Sequence, residues 1–301
     1  MIRIIQSRKI FLSLAAVALA VAIYALATWG LRFGLDFTGG SLLEVQYSNY
    51  QPSLTEVQDS LRDTKLSGLI VQPTGDSVLI RFQENTEDAH QAAVKDLKKL
   101  AEGKKDVVFK ELQFEAVGPS IGQELKQKSF NAMALALIMI ILYITVTFNK
   151  VSRPVASWKY GLVAIGALVY NIVFTLGVFA FLGHFHGVEI NTPFIAALLT
   201  ILGYCVNDTI IVFDRIRENL PKSQEDFENT VNRSVNQTLS RSVNTSFTVL
   251  LALVAILWFG GESIRDFTLA MIIGVLIGTY TSIFIASPIL VMWDNFSRGR
   301  K

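Results

Sequence analysis

The stretch Asn191–Phe213, NTPFIAALLTILGYCVNDTIIVF, has the length and apolar character of a membrane-spanning helix, yet it contains Asp208. An ionisable side chain at that depth costs roughly 2.5–3.5 kcal/mol even on a mild insertion scale. Intramembrane charges of this kind usually mark the path of an ion or a proton. The sequence therefore predicts a functional role for Asp208, and a purely structural ion pair is the open alternative.

Five further stretches resemble this one in length and apolar character. About 20 apolar residues cross a bilayer, and the chain is 51% hydrophobic with a mean hydropathy of +0.43. We predict a polytopic α-helical membrane protein with six transmembrane helices: Ile10–Trp29, Ser129–Phe148, Val155–Leu182, Thr192–Phe213, Val243–Phe259 and Phe267–Trp293. The net charge of +2, without a basic stripe outside the loops that flank the spans, argues against nucleic-acid binding.

Basic residues mark alternate loops and predict the orientation. They lie in the N-terminus, the second and fourth connections and the C-terminus: Arg3, Arg8, Lys9; Lys150, Arg153, Lys159; Arg215, Arg217, Lys222, Arg233; Arg298, Arg300, Lys301. The other two short loops, Gly183–Asn191 and Gly260–Asp266, contain only Arg265. The positive-inside rule then predicts that both termini are cytoplasmic. The apolar core of the first span is too long for a signal peptide, so we expect an uncleaved anchor.

The segment between the first two spans is polar and periodic. We divide the chain into residues 1–30 (tip and first span), 31–128 (an extracytoplasmic domain) and 129–301 (the remaining spans). The middle segment predicts strands Ser41–Tyr47, Leu69–Gln72, Ser77–Phe82 and Val107–Val117, and helices Ser53–Lys65 and Thr86–Ala101. The order βαββαβ is that of an α+β ferredoxin-like domain. Its single histidine, His90, is expected to be a solvated helix residue.

A basic partner for Asp208 lies near the start of the fifth span. At the helical rise, Asp208 lies about 22 Å from Pro193, near the start of its span, and Arg241 lies about 27 Å from Phe259 at the far end of the next. The difference of roughly 5 Å is within the reach of an arginine side chain. We predict that Asp208 and Arg241 form a proton relay in which Arg241 keeps its charge and gates.

Other polar residues receive weaker predictions. Asn207, Thr209 and Asn171 are supporting groups that hold water or join helices, with structural hydrogen bonding as the equal alternative. Asp214 and Arg215 are boundary charges. Small residues at four-residue spacing in the sixth span predict close helix packing: Gly274, Gly278, Ser282 and Ala286. The chain has one cysteine and no histidine–cysteine cluster, so we expect no metal, and neither a nucleotide loop nor a nucleophile–base pair suggests an enzyme.

Several motifs resemble those of the SecD/SecF protein-export family of the RND superfamily. Gly34-Leu35-Asp36-Phe37-Thr38-Gly39-Gly40 resembles the first signature of the family, and Val117-Gly118-Pro119-Ser120-Ile121-Gly122 resembles the second. The run Gly203–Asn219 is similar to the fourth-span motif of the SecF branch. The glycines are interpreted as hinges or rigid corners.

This resemblance implies an RND-type half that pairs with SecD and associates with the SecYEG translocon. It implies use of the proton-motive force in late, ATP-independent export of a preprotein, without a cofactor other than the coupling ion. It also implies proton conduction through the residues that match Asp208 and Arg241. The location implied is a bacterial plasma membrane, surrounded by membrane lipid, with a thylakoid membrane left open.

One position departs from the family pattern, and two other functions stay open. Many SecF members have His-Asp in the third span, where this chain has Tyr170-Asn171, so a relay through that span is doubtful. The alternatives are one half of an RND-type exporter of small molecules or lipids, and a passive assembly scaffold for SecD. The sequence also leaves open whether the coupling ion is H⁺ or Na⁺.

Overall fold

A computed structural model describes residues 2–64, 66–104, 106–148, 157–261, 264–297 and 299. Basic residues used above for orientation lie outside the described residues, as do the first two positions of the predicted third span: Lys150, Arg153, Arg298, Arg300, Lys301, Val155 and Ala156. The chain forms two compact units. The helical unit comprises residues up to Arg32 and from Phe130 onward, and the sheet unit is Phe33–Ser129.

The helices and strands follow one another along the chain with short connections. In chain order they are α1 (Arg8–Trp29), α2 (Leu35–Thr38), β1 (Gly40–Tyr47), α3 (Leu54–Ser60), a 3-10 turn (Arg62–Thr64), β2 (Ile70–Thr74), β3 (Ser77–Phe82), α4 (Glu87–Lys99), β4 (Phe109–Val117), α5 (Pro119–Phe148), α6 (Ser157–His186), α7 (Thr192–Asn219), a 3-10 turn (Leu220–Lys222), α8 (Phe227–Phe259), α9 (Arg265–Thr281), a π-helical turn (Ser282–Ala286) and α10 (Ser287–Ser297).

Within the described residues, six helical segments are long and apolar enough to cross a membrane. They are α1, α5, α6, α7, α8, and the continuous segment from α9 through α10. The prediction of a polytopic protein with six transmembrane helices is therefore confirmed.

Two of these helices extend well beyond the predicted spans. Helix α5 begins at Pro119 rather than Ser129, and α8 begins at Phe227 rather than Val243. The added turns are polar, and apolar length alone does not detect them. In α8 the Asp226 side chain accepts a hydrogen bond from the Asn229 backbone and caps the helix. Arg233, which we expected in a loop, consequently lies within α8.

The sixth span is interrupted where no break was predicted. Ser282–Ala286 forms a π-helical turn between α9 and α10. The Ser287 hydroxyl donates a hydrogen bond at 3.3 Å to the backbone carbonyl of Ser282, the first residue of this turn. Single π turns inside α-helices are frequent at functional sites.

The sheet unit has the predicted βαββαβ order. Its described strands form a four-stranded antiparallel sheet in the order β2-β3-β1-β4, the ferredoxin-like arrangement. A β-bulge between Glu44 and Val45 shifts the register of β1 against β4. Strand β4 lies at the edge of the sheet, and most of its residues are exposed.

The helices α3 and α4 contribute to the core of the sheet unit. Val57 of α3 and Leu97 of α4 are buried in one cluster with Leu43 and Ile80 of the sheet. The N-terminus of α3 has a capping box, as predicted: Ser53 accepts from the Glu56 backbone at 3.3 Å and donates its own N–H to Glu56 at 2.8 Å.

His90 is buried, so the expectation of a solvated residue is wrong. Its ring stacks on Phe114 of β4 with centroids 3.8 Å apart. Its Nε2 lies 2.9 Å from Glu111 Oε1 and its Nδ1 lies 3.3 Å from Glu87 Oε1. The residue lies on the face of α4 that packs against the sheet.

The two glycine signatures meet within the sheet unit. Gly34 caps the short helix α2, which contains Asp36 and ends at Gly39. Gly39 and Gly40 have positive φ values of +72° and +115°. A Cβ on Gly39 would lie 2.9 Å from Pro119 Cα, and one on Gly122 would lie 3.1 Å from the Phe37 carbonyl oxygen. The backbones therefore pack directly against each other, next to Gly118.

The N-terminal tip is bound by asparagine side chains of α8. The Ile2 backbone N–H donates to Asn236 at 2.8 Å, and the Ile5 N–H donates to Asn232 at 3.1 Å. Both asparagines donate back to the Ile2 carbonyl. Arg8 also pairs with Glu228 at 2.7 Å. These contacts fix the start of α1 against the start of α8.

Candidate functional site

Asp208 lies on the side of α7 that packs inside the helical unit. Only 7% of its surface is exposed. Its Oδ1 accepts a hydrogen bond from the Ser242 hydroxyl of α8 at 2.6 Å, and its Oδ2 accepts one from the Ser282 hydroxyl of the π-helical turn. A buried carboxylate thus joins three segments through hydroxyl donors, which are charge-assisted when the acid is ionised.

Arg241 does not occupy the position expected for it. Successive residues of a helix are separated by about 100° around its axis, so Ser242 faces Asp208 while Arg241 points away and is exposed. Among the described residues, Asp208 forms no ion pair with Arg241. The direct pair predicted from depth alone is therefore not present in this structure. Depth gives the height of a residue along a helix but not its direction.

The predicted supporting residues have different positions. Asn171 of α6 is buried and accepts a hydrogen bond at 2.6 Å from Thr281, the neighbour of Ser282. Thr209 is buried but donates to the Cys205 carbonyl of its own helix at 2.9 Å. Asn207 is exposed on the outside of α7. Asn171 therefore belongs to the polar interior around Asp208, whereas Asn207 faces away from it.

A second set of hydroxyls lies one turn away from Asp208. Ser246 of α8 contacts the Tyr204 hydroxyl of α7 at 2.9 Å and the Thr279 hydroxyl of α9 at 2.5 Å. The Ser282 hydroxyl also donates to the Thr279 carbonyl at 3.1 Å. Sequence reasoning missed Ser242, Ser246 and Thr279. The spacing of Ser242 and Ser246 in the polar run SVNTS was the available signal.

The boundary charges are separate from this interior. Asp214 is exposed, and Arg215 pairs with Glu218 at 2.6 Å. Neither residue contacts Asp208 among the described interactions.

The small residues of the sixth span bring α9 close to α7. A Cβ on Gly274 would overlap the Ile201 side chain, and one on Gly278 would overlap Cys205 Sγ. Ser282 and Ala286 are fully buried in the π-helical turn. Ser282 is small enough for close packing, as predicted, and it also donates a hydrogen bond to Asp208.

His184 and His186 end helix α6 rather than lying in a loop as expected. His184 stacks on Trp29 with ring centroids 5.0 Å apart. Across the described residues, no group of three or more His, Cys, Asp or Glu side chains is arranged to hold a metal ion.

Comparison with known proteins gives consistent matches over the whole chain. The sequence profile of the family "Protein export membrane protein SecD/SecF, C-terminal" matches residues 96–296, and that of the "SecD/SecF GG Motif" matches residues 24–50. The chain is 40% identical to the protein translocase subunit SecF of Thermobaculum terrenum, over 98% of this chain and 95% of that protein. It is 38% identical to the same subunit of Synechocystis sp., over 97% of this chain and 91% of that one.

A solved structure has the same fold. The crystal structure of SecDF from Thermus thermophilus, a translocon-associated membrane protein, superposes with a TM-score of 0.83 at 30% identity. The match covers 97% of this chain but only 38% of the SecDF chain. On the combined evidence of sequence, fold and glycine signatures, the chain belongs to the SecD/SecF family of protein-export membrane proteins.

Proposed function

We propose that the chain is the SecF-type subunit of a SecD–SecF complex that uses the proton-motive force. In this proposal the complex assists late, ATP-independent steps of preprotein translocation through SecYEG. The observation that carries it is the buried Asp208 carboxylate, held by hydroxyls of two neighbouring segments. Membership of the family supplies the process in which this acid acts.

The arrangement around Asp208 suits a group that changes its protonation state. When ionised, the carboxylate accepts from both Ser242 and Ser282; when protonated, one of its oxygens becomes a donor and one of these bonds has to reorganise. Ser282 lies in the π-helical turn, so the change acts on a segment whose helical hydrogen bonding is already irregular. Protonation at Asp208 can thereby bias the packing of the sixth span. The coupling ion in this proposal is H⁺, and no cofactor takes part.

The role of Arg241 follows from the exposed face on which it lies. Helices α7 and α8 pack against each other and are antiparallel, so the residues that precede Asp208 and Ser242 turn to the same side. The exposed residues there are polar or small: Thr200, Gly203 and Asn207 on α7, and Arg241, Thr245 and Thr248 on α8.

A charged residue facing hydrocarbon is costly, and intramembrane charges almost always face a bundle interior or a water-filled cavity. Small and hydroxyl residues favour close approach of a second helix. We therefore propose that this polar face packs against SecD. Arg241 then completes the coupling site at the interface between the two subunits.

The proposed location is the bacterial plasma membrane, with both termini in the cytoplasm and the sheet unit outside. The distribution of lysine and arginine between the loops supports this orientation. In that orientation the Thr192 end of α7 faces outward, and the sheet unit is available to a preprotein that leaves the translocon.

The test is an export assay in membrane vesicles with an imposed proton gradient. We expect Asp208→Asn to abolish the gradient-dependent part of export at equal membrane abundance, because the amide cannot take up and release a proton. Glu218→Gln is the matched control: it makes the same change of acid to amide on α7, but at an exposed ion pair.

Two further outcomes distinguish the alternatives. Gradient-dependent export that persists in Asp208→Asn would make the chain a passive partner of SecD. Loss of SecD association in the variant, measured by co-purification, would assign Asp208 to assembly rather than to coupling.

A further inference from the structure

The hydroxyls of Tyr204, Ser246 and Thr279 form a second polar layer, built from the same three segments as the layer around Asp208. Three segments contribute to each layer. Helix α7 supplies Asp208 and, four residues earlier, Tyr204; α8 supplies Ser242 and, four residues later, Ser246. The sixth span supplies Ser282 and, three residues earlier, Thr279. Spacings of three and four residues place both groups on the same face of a helix.

From this geometry we propose that the layer of Tyr204, Ser246 and Thr279 is a proton relay between Asp208 and the Thr192 end of the bundle. The inference rests on the proposed function of Asp208 as the coupling acid and extends it by naming the groups that supply the proton. In α7 the layer lies one turn closer to Thr192 than Asp208 does. The relay is thus on the side that faces outward in the proposed orientation.

Hydrogen bonds join the three hydroxyls of the second layer to one another. Ser246 lies between the other two hydroxyls, at 2.9 Å from Tyr204 and 2.5 Å from Thr279. Ser282 lies between the layers, because its hydroxyl is within hydrogen-bonding distance of both Asp208 and the Thr279 carbonyl and donates its one proton to either of them. The two layers are about 6 Å apart at 1.5 Å per residue, a distance that two hydrogen bonds through one water molecule span.

Burial shows where the relay begins and ends. Ser246 and Asp208 are buried, whereas Tyr204 and Thr279 are half-buried. The half-buried hydroxyls are the entry of the relay and the buried carboxylate is its end.

A buried hydroxyl of α6 has no hydrogen-bond partner in the part of the chain that the structure describes. Thr175 follows Asn171 by one turn, toward the end of α6 that connects to α7. Its side chain is fully buried, and its Oγ1 has no hydrogen-bond partner among the described residues. A buried hydroxyl without a partner is costly, so a polar interior that admits water accounts for it better than a dry packing interface does.

The proposed transfer conserves protons at each step. Thr279 accepts a proton from a hydronium ion that arrives from the Thr192 side, while its own hydroxyl proton passes to Ser246 Oγ, which the Tyr204 hydroxyl contacts at 2.9 Å. Ser246 passes its own proton onward through the bridging water to the Asp208 carboxylate, which becomes the neutral acid. Each hydroxyl regains its original state, and only Asp208 changes its charge.

The test follows the carboxyl group of Asp208 directly. The full chain, together with its SecD partner, is placed in right-side-out and inverted vesicles, and the external pH is lowered rapidly. Time-resolved infrared spectroscopy then measures the appearance of the protonated carboxyl band, which is assigned to Asp208 by its loss in Asp208→Asn. The rate is compared for entry from each side of the membrane.

We expect Ser246→Ala and Thr279→Val to slow protonation from the Thr192 side roughly 100-fold, since each removes a positioned proton-transfer group. Protonation from the other side stays at the wild-type rate. Thr279→Ser retains the hydroxyl and keeps the wild-type rate. Thr268→Val is the matched control, because Thr268 is a buried threonine of α9 whose hydroxyl donates to the carbonyl of Ile264.

Three results would overturn the relay. The first is a wild-type rate of Asp208 protonation in both Ser246→Ala and Thr279→Val. The second is an equally slowed rate in Thr279→Val and Thr279→Ser. The third is a rate that is slowed equally from both sides of the membrane. If Thr279→Val does not insert, Ser246→Ala and Tyr204→Phe carry the test, since each removes one oxygen without adding volume.

A failure of the relay is distinguishable from a failure of the proposed function. The infrared measurement records protonation of Asp208 whether or not export depends on it. The export assay with Asp208→Asn tests coupling whatever the route of the proton.

Discussion

Ser242 and Arg241 show how one residue along a helix changes the chemistry of a site. Both lie at nearly the same height, yet only Ser242 reaches Asp208. Ser282 reaches the other carboxylate oxygen from the π-helical turn. The immediate environment of Asp208 therefore consists of hydroxyl donors, and the cationic group lies on the exposed polar face.

Replacing Ser242 by Ala removes one of the two donors to Asp208. A hydrogen bond to a charged group is worth roughly 1.5–3 kcal/mol. We therefore expect Ser242→Ala to reduce the gradient-dependent part of export, with ATP-driven export and SecD association unchanged. Ser242→Thr, which retains a hydroxyl, restores it. Ser240→Ala is the matched control, because Ser240 is exposed on the same helix; equal export in Ser242→Ala and wild type would contradict the prediction.

At the scale of elements, the approach of α9 to α7 depends on glycine. A Cβ on Gly278 would overlap Cys205 Sγ, whereas Cys205 Cβ would lie 3.4 Å away. We expect Gly278→Ala to destabilise the chain by about 1–3 kcal/mol through overpacking. Adding Cys205→Ala relieves the overlap, so the double variant recovers stability in thermal unfolding of the detergent-solubilised chain.

Gly166→Ala is the control for this packing prediction. Gly166 lies in α6 and a Cβ there would meet nothing within 4 Å, so the change is expected to be neutral or stabilising. A Gly278→Ala variant as stable as Gly166→Ala would mean that the two helices separate without cost.

The cap of α3 gives the sheet unit a dependence on pH. The Ser53 backbone N–H and hydroxyl donate to the Glu56 carboxylate and, with the Tyr50 hydroxyl, hold its pKa below the usual value of 4.5. Because the pKa of Glu56 is lower in the folded state than in the unfolded state, its ionised carboxylate stabilises the fold at pH values above the unfolded-state pKa. This stabilisation is lost as the pH falls through the folded-state pKa. We therefore expect the amides of α3 in the full chain to lose protection from hydrogen exchange below about pH 4.5.

Two variants test this assignment. Glu56→Gln is expected to lower protection at neutral pH and to remove this part of the acid dependence. Glu102→Gln, an exposed acid after α4, is expected to leave both unchanged. An acid dependence that survives in Glu56→Gln would assign it to another group.

For the whole molecule, the orientation in the membrane is testable with single cysteines. In a Cys205→Ala background, Asp76→Cys places a thiol in the exposed turn between β2 and β3, and Glu225→Cys places one between α7 and α8. We expect an impermeant maleimide added to intact cells to label Asp76→Cys only. Glu225→Cys becomes reactive after permeabilisation. The opposite pattern would reverse the proposed orientation.

Local sequence patterns were sufficient to predict most of the helices and strands of this molecule. Apolar length predicted six spans, because a bilayer requires a minimum run of apolar residues. Alternation and capping residues predicted βαββαβ and the Ser53–Glu56 cap, because these depend on neighbours within a few positions. The depth of Asp208 in its span predicted that it is the centre of the candidate site.

The side chains that surround Asp208 became known only from the packing of the helices. Ser242, and not Arg241, faces Asp208 because of the rotation of α8 about its axis. That rotation is fixed by packing along the whole helix, and the polar first half of α8 was not predicted. The contact between Asp208 and Ser282 depends on a π-helical turn that no local sequence pattern predicted. Helix rotation and register are set by long-range contacts of the whole bundle. The sequence pattern therefore predicted the height of each side chain along its helix but not the direction in which it points.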